Sequence, residues 1–212
     1  MNITKKLRNM LKKLIRSVLD EIKKEKETVL VYIVPGGKMP QRMTDGAIGY
    51  DAFARAIVSA KEMDPDNPIF RKTIFNFVDM PTDPDIASRI VTLADGRLAY
   101  RMKKGESITI AIGFVTAMPF PMFYWVTPRS GLSSKQGVTV TNAPGTVDPD
   151  YRGEAGVLLY NRDNEYFDVV LEMRVAQGVF QEAIIPTFVQ VEDYKLLPTT
   201  IRGSGGFGST GH

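Results

Sequence analysis

Along the first 27 residues, apolar side chains recur at steps of three and four: Leu7, Leu11, Leu14, Val18 and Ile22, with Met10, Ile15 and Leu19 widening the stripe. This period predicts one amphipathic helix over residues 2–27, with Asn2 or Thr4 placed to cap its start. The period then changes. Thr28–Val34 (TVLVYIV) reads as a strand closed by Pro35-Gly36-Gly37, and Ala54–Met63 fits a short helix or a strand equally well. Between Asp64 and Asp85, Pro and Asp crowd around the apolar patch Ile74–Val78. That predicts a long ordered loop, an insertion over about 61–88 too short for a core of its own.

From residue 89 the pattern is short apolar runs punctuated by turn residues. Strands are predicted at Arg89–Leu93, Arg97–Met102, Ser107–Phe114, Met122–Val126, Gly137–Thr141, Gly156–Asn161, Phe167–Ala176, Gly178–Pro186 and Val189–Lys195. So many short strands indicate an all-β sandwich or jelly roll over residues 28–200. The tail, 201–212 (IRGSGGFGSTGH), has too little apolar content to pack alone and is expected to stay mobile until a ligand orders it.

Composition narrows the chemistry. There is no cysteine and the single histidine is His212, which sets aside disulfides, thiolate metal sites, Cys nucleophiles and Ser-His-Asp triads. Acid–base work near neutral pH falls to Asp or Glu, helped by Lys or Tyr. A cytoplasmic, reducing location fits this composition.

The net charge of +3 is unevenly placed: residues 1–27 hold nine Lys or Arg against four Asp or Glu, and the rest of the chain sums to −2. Sequence-specific nucleic-acid binding by the body is therefore unsupported. The basic helix has three open readings: docking or self-association, contact with a membrane or polyanion, and a loose extension. It has neither a long uninterrupted apolar core nor a small-residue cleavage site, so a transmembrane span and a signal peptide both fit poorly.

The chemistry-bearing residues gather in Pro128–Glu154 (PRSGLSSKQGVTVTNAPGTVDPDYRGE). Arg129-Ser130-Gly131 follows an apolar strand, as a phosphate-contacting turn would, although an isolated RSG also suits any surface turn. Asp148 and Asp150 could bind a cation, bind a sugar hydroxyl, or serve as a base. Tyr151 could stack on a sugar or fill the core. In the tail, Arg202 supplies a bidentate donor, Phe207 an aromatic face, and five glycines close backbone approach.

Taken together, these segments resemble the trimeric deoxyuridine triphosphatases (dUTPases). TNAPGTVDPDYRGE is similar to the family's third motif, PRSGLSSKQG to its second, DGAIGYDAFA to its first, MRVAQGVF to its fourth and RGSGGFGSTG to its fifth, all in the family order. The related dCTP deaminases share the fold and an RSS-like second motif, but the N-A-P-G-T-x-D run and the glycine-rich tail favour a dUTPase.

The resemblance implies a distorted jelly-roll, or β-clip, domain carrying an added N-terminal helix. It implies a homotrimer with shared sites that uses Mg²⁺ and splits dUTP into dUMP and pyrophosphate by attack at the α-phosphorus. By the same resemblance Asp148 activates the water, while Arg129, Ser130, Gly131 and Gln177 hold phosphate oxygens. Asn142, Gly145, Thr146 and Val147 would read uracil, and Tyr151 would pack under the deoxyribose. Arg202, Phe207, Gly208, Ser209 and Thr210 would close over the nucleotide, with Phe207 on the base. The metal would be held by the triphosphate, with Asp51 linked to it through water. The rival readings are a dCTP deaminase, a bifunctional deaminase–dUTPase and a non-catalytic, dUTPase-like binding protein. The departures from the family pattern are the basic helix, the 61–88 segment, Gly178 in place of a bulky apolar residue, and Phe120-Pro121 at a turn that is usually Pro-x-Gly.

Overall fold

The computed structural model describes residues 3–206. Its elements run α1 (Ile3–Glu27), β1 (Leu30–Ile33), β2 (Tyr50–Phe53), β3 (Ala56–Met63), β4 (Arg71–Phe75), α2 (Pro84–Ala87), β5 (Ile90–Thr92), β6 (Leu98–Lys103) and β7 (Ser107–Ala111). They continue with β8 (Phe114–Ala117), β9 (Met122–Thr127), α3 (Ser130–Lys135), β10 (Val138–Val140), β11 (Gly145–Val147), β12 (Gly156–Asn161), β13 (Tyr166–Val170) and β14 (Arg174–Glu182). The strands form a five-stranded sheet β10-β12-β7-β3-β4, a four-stranded sheet β11-β9-β14-β2, a three-stranded sheet β13-β6-β5 and the pair β1-β8. All the pairings are antiparallel. This is the all-β body, with an added helix, that the turn-punctuated pattern predicts.

Alternation along the strands places the core. In β12 every second residue is buried, so Val157, Leu159 and Asn161 point inward and Leu158 and Tyr160 only partly so. Asn161 is tolerated there because its amide donates to the carbonyls of Met102 (3.3 Å) and Asn164 (2.9 Å). β7 is buried along most of its length because β12 and β3 flank it in the sheet. Ile110, Met102, Val169, Tyr124 and Phe75 complete an apolar centre that spans the sheets.

Four departures from the sequence reading bear on the core and the arm. Ser107–Phe114 breaks into β7 and β8 at Gly113, which sits at φ 77°, a conformation glycine adopts without steric penalty. Phe167–Ala176 divides into β13 and β14, in different sheets, around Glu172 at φ 58°. Arg71–Phe75, within the segment read as loop, pairs with β3, and Phe75 and Phe77 join the core. Val189–Lys195 is not a strand: it runs extended and exposed into a 3₁₀ turn at Tyr194–Leu196, where the Asp193 side chain accepts from the Lys195 N–H at 2.9 Å. Ala54–Met63, open to either reading, is mostly strand.

Gly37 and Gly113 cross here with backbone against backbone. A Cβ on either would collide with the other, and the Val34 N–H donates to the Gly113 carbonyl at 3.0 Å. At Gly178 a Cβ would meet the Tyr124 ring at 3.5 Å, an ordinary van der Waals contact, so nothing in the structure requires glycine there.

Candidate active site

The expected site residues fall into two clusters and an arm. The first cluster is built where β2, β14 and β9 lie side by side, with Gln177 opposite both Asp51 and Thr127. The Asp51 carboxylate is buried and bridges two arginines: Arg129 Nε donates to Oδ1 at 3.0 Å, and Arg174 Nη1 donates to Oδ2 at 3.1 Å. Arg129 Nη1 also donates to the Arg174 carbonyl at 3.1 Å. A buried carboxylate needs such partners to offset desolvation, and in return it fixes the plane of the Arg129 guanidinium. Asp51, expected to reach a metal through water, thus has both oxygens engaged by arginines.

Gln177 Nε2 donates to the Pro128 carbonyl at 3.1 Å, and a Cβ on Gly49 would strike its amide oxygen. The first, second and fourth motifs therefore meet at one place. Ser130 and Gly131 open α3 beside Arg129, both exposed, and nothing lies within 4 Å of where a Gly131 Cβ would stand.

The second cluster is a cleft of ≈ 440 Å³ whose walls include Asn142, Thr146, Val147, Asp148 and Tyr151. Its floor is strand: Thr109 from β7 and Gly156 and Leu158 from β12. The strand carrying the motif is β11, whose Gly145, Thr146 and Val147 pair with Val126, Trp125 and Tyr124 of β9. A Cβ on Gly145 would press the Asn142 amide at 2.9 Å, so glycine lets the Asn142 side chain fold back over the turn.

Beyond β11 the chain is tied in place bond by bond. The Tyr151 N–H donates to the Asp148 carbonyl at 3.2 Å, and the Arg152 guanidinium donates to the Pro149 carbonyl at 2.7 Å. The Tyr151 phenol donates to the Glu154 carbonyl at 3.2 Å, lying where a Cβ on Gly153 would collide with it. Asp148 is exposed at the cleft, and Tyr151 keeps 42% of its surface open.

Glu154 anchors this loop from beneath. Its buried carboxylate accepts from Arg55 Nε (2.7 Å) and Nη2 (2.6 Å) and from the Gly113 N–H (2.6 Å). Sequence reasoning passed over this pair because Arg55 and Glu154 lie 99 residues apart. It also passed over Arg71 of β4, which lines the same cleft, with Nη1 donating to the Ala60 carbonyl at 2.8 Å. Arg71 sits in no motif, and only the β3–β4 pairing brings it to the cleft.

The arm is the C-terminal segment. From Ile184 to Ser204 every residue is exposed, including Ile184, Phe188, Val189, Tyr194 and Leu196. Arg202 lies in this stretch, its Nε donating to the Gly205 carbonyl at 2.8 Å. Phe207, Gly208, Ser209 and Thr210 lie outside the described residues. Among the described residues no group of three or more His, Cys, Asp or Glu is placed to hold a metal.

The comparisons with known proteins agree on one family. The dUTPase family model matches residues 97–211. The deoxyuridine 5'-triphosphate nucleotidohydrolase of Nautilia profundicola is 46% identical over 110 residues, 52% of this chain and 75% of that protein. Its counterpart from Caulobacter vibrioides is 50% identical over 110 residues, 52% of this chain and 69% of that protein.

Among solved structures, a mutant of the Staphylococcus bacteriophage 80alpha dUTPase with dUpNHpp superposes with a TM-score of 0.62 at 18% identity, covering 88% of this chain and 99% of that one. A mutant dUTPase from phage phi11 of S. aureus, described for its coordination of a structural Mg(II) ion, gives 0.55 at 17% identity, covering 80% of this chain and 99% of that one. At those identities the superpositions speak for the fold alone, and the family rests on the sequence matches. The chain belongs to the dUTPase family.

Proposed function

We propose that this protein hydrolyses dUTP to dUMP and pyrophosphate. The observation that carries the reading is the second cleft, which gathers Asn142, Thr146, Val147, Asp148 and Tyr151 of a single sequence motif around a space fit for a nucleoside. Main-chain groups along Gly145–Val147 would pair with the uracil edge. A site built to hydrogen-bond that edge leaves polar groups unpaired against cytosine, which is how it discriminates. Tyr151, held by its phenol on the Glu154 carbonyl, would lie under the deoxyribose and leave no room for a 2′-hydroxyl.

Asp148 would orient and deprotonate the attacking water. Phosphoryl transfer asks the protein mainly for position and charge neutralisation. Arg129, with Ser130, Gly131 and Gln177, would supply the latter. Asp51 takes up Arg129 Nε, while the guanidinium's Nη2 makes no hydrogen bond among the described residues. Mg²⁺ would arrive with the triphosphate, neutralising its oxygens. Arg71, at the same cleft as Asp148, would add a cation that none of the family motifs supplies.

The two clusters would work as one site across a subunit boundary. The Arg129 cluster does not line the Asp148 cleft, and the exposed apolar arm from Ile184 onward suits burial on another copy better than life in water. A homotrimer would bring the Asp148 cleft of one subunit to the Arg129 cluster of a second, with Arg202 and residues 207–210 closing over both. The test is a nucleotide panel with purified protein and Mg²⁺. Pyrophosphate release from dUTP but not from dTTP or UTP supports the reading. Ammonia release from dCTP would make it a deaminase, and no turnover at all would leave only a binding protein.

A further inference from the structure

The nucleotide chemistry leaves α1 without a role. From Met10 to Glu25 every residue of the helix is exposed, and Met10, Leu11, Leu14, Ile15, Val18, Leu19 and Ile22 keep between 44% and 62% of their surface open. At roughly 100° per residue, these residues cover about half of the helix circumference. That is wider than the narrow seam of a coiled coil. The opposite face is cationic: residues 1–19 contain six Lys or Arg and no Asp or Glu, and acidic residues enter only from Asp20 onward, where Glu21 and Glu25 share a cavity with Ala117 and Met118 of the body.

We propose that α1 is a membrane-surface anchor whose occupant is an anionic phospholipid bilayer. The helix would lie in the plane of the interface, its apolar half among the acyl-chain boundaries and its Lys and Arg among the headgroups. Charge decides between this occupant and the others. A bundle of copies would bury the apolar half but leave Lys12, Lys13 and Arg16 facing water, with no acidic partner before residue 20. A nucleic acid would meet the cations but leave the apolar half in water. An anionic bilayer satisfies both halves together. Among the described residues no helix is long and apolar enough to cross a membrane. The body, at −2, adds no attraction, so the pull acts on α1 alone, and three helices on one trimer would bind together with avidity.

The experiment is flotation of the full-length protein with vesicles of phosphatidylcholine alone or with about a third phosphatidylserine, a content at which each basic residue near the surface contributes. The expected result is at least about tenfold more protein with the anionic vesicles, lost in high salt as screening sets in. Two variants bracket the cause: K12E/K13E/R16E removes the cationic face, and L14S/V18S interrupts the apolar one. Each should abolish flotation while pyrophosphate release from dUTP continues, which shows that the body is folded. Equal flotation with neutral vesicles would overturn the choice of an anionic surface. No flotation in low salt would overturn the proposal, and a fall in particle size for L14S/V18S would then identify a second copy as the occupant. Retention of a DNA fragment that depends on the same lysines, without flotation, would identify a polyanion instead.

Discussion

The Arg55–Glu154 pair gives the sharpest quantitative test of how the candidate site is held. The side chains are 14% and 3% exposed and share two hydrogen bonds of 2.7 and 2.6 Å, with a third from the Gly113 N–H. Replacing Glu154 with Ala strands a mostly buried guanidinium, a loss of about 3–5 kcal/mol, and orphans a backbone donor, which adds about 1–3 kcal/mol. Replacing Arg55 with Ala leaves the carboxylate with Gly113 alone, again about 3–5 kcal/mol. In a chain of this length each kcal/mol lowers the melting temperature by about 2–4 °C, so Arg55→Ala should melt roughly 6–20 °C below the wild type and Glu154→Ala roughly 8 °C or more below it.

The pair's own contribution is separated by R55A/E154A. Once both charges are gone, only the Gly113 N–H is left uncompensated, so the double variant should lose much less than the sum of the singles. The assay is thermal melting at one fixed protein concentration, since any association between copies would otherwise move the midpoint. Because the Glu154 side chain fixes the backbone whose carbonyl takes the Tyr151 phenol, E154A should also raise KM for dUTP. Additive losses, or a single-variant loss below about 1 kcal/mol, the ceiling for an exposed pair, would refute the reasoning.

Other outcomes follow from the site and the core. Asp148→Asn should retain binding of a non-hydrolysable imido analogue in calorimetry while turnover falls by about 10²–10⁴-fold, the range for losing a general base; full turnover would remove Asp148 from that role. Arg71→Ala should lower kcat/KM for dUTP by about tenfold or more, the loss expected of a charged hydrogen bond, while the melting temperature falls only by the few degrees that the lost bond to the Ala60 carbonyl accounts for; steady-state rates decide it. Burial, then the neighbouring Glu106 carboxylate, push the Tyr100 phenol up to about 12. The unfolded chain therefore ionises first, near pH 10, and the stability this group contributes is complete below that pH and lost as pH rises toward 12. Urea midpoints of Tyr100→Phe should accordingly fall less steeply than the wild type's across that window.

How much could be read in advance follows the range of the interactions. α1 was legible because its period is local, and β12 because alternation needs only six residues. The site motifs were legible because each carries its residue types within a few positions. Glu172 was not legible: a glutamate at positive φ carries no composition signal, so a turn between two sheets read as continuous strand. Phe75 and Phe77 were hidden by surrounding Pro and Asp, and their burial depends on β4 pairing with a strand that was itself ambiguous. The 189–195 run failed for the opposite reason. Its alternation is genuine, but it lies exposed along the arm and is not hydrogen-bonded into a sheet. Arg71 and Arg55 matter only through partners that are distant in sequence.

The division of site residues into two separate clusters has a genetic consequence. Suppose each working site draws Asp148 from one chain and Arg129 from another. A chain carrying D148N and a chain carrying R129A are then each inactive alone, yet they are defective in different halves. Co-expressed, they would assemble mixed particles in which some sites take both healthy halves, so activity would reappear from two inactive alleles. Mixed from two chains disabled in the same half, the particles would stay silent.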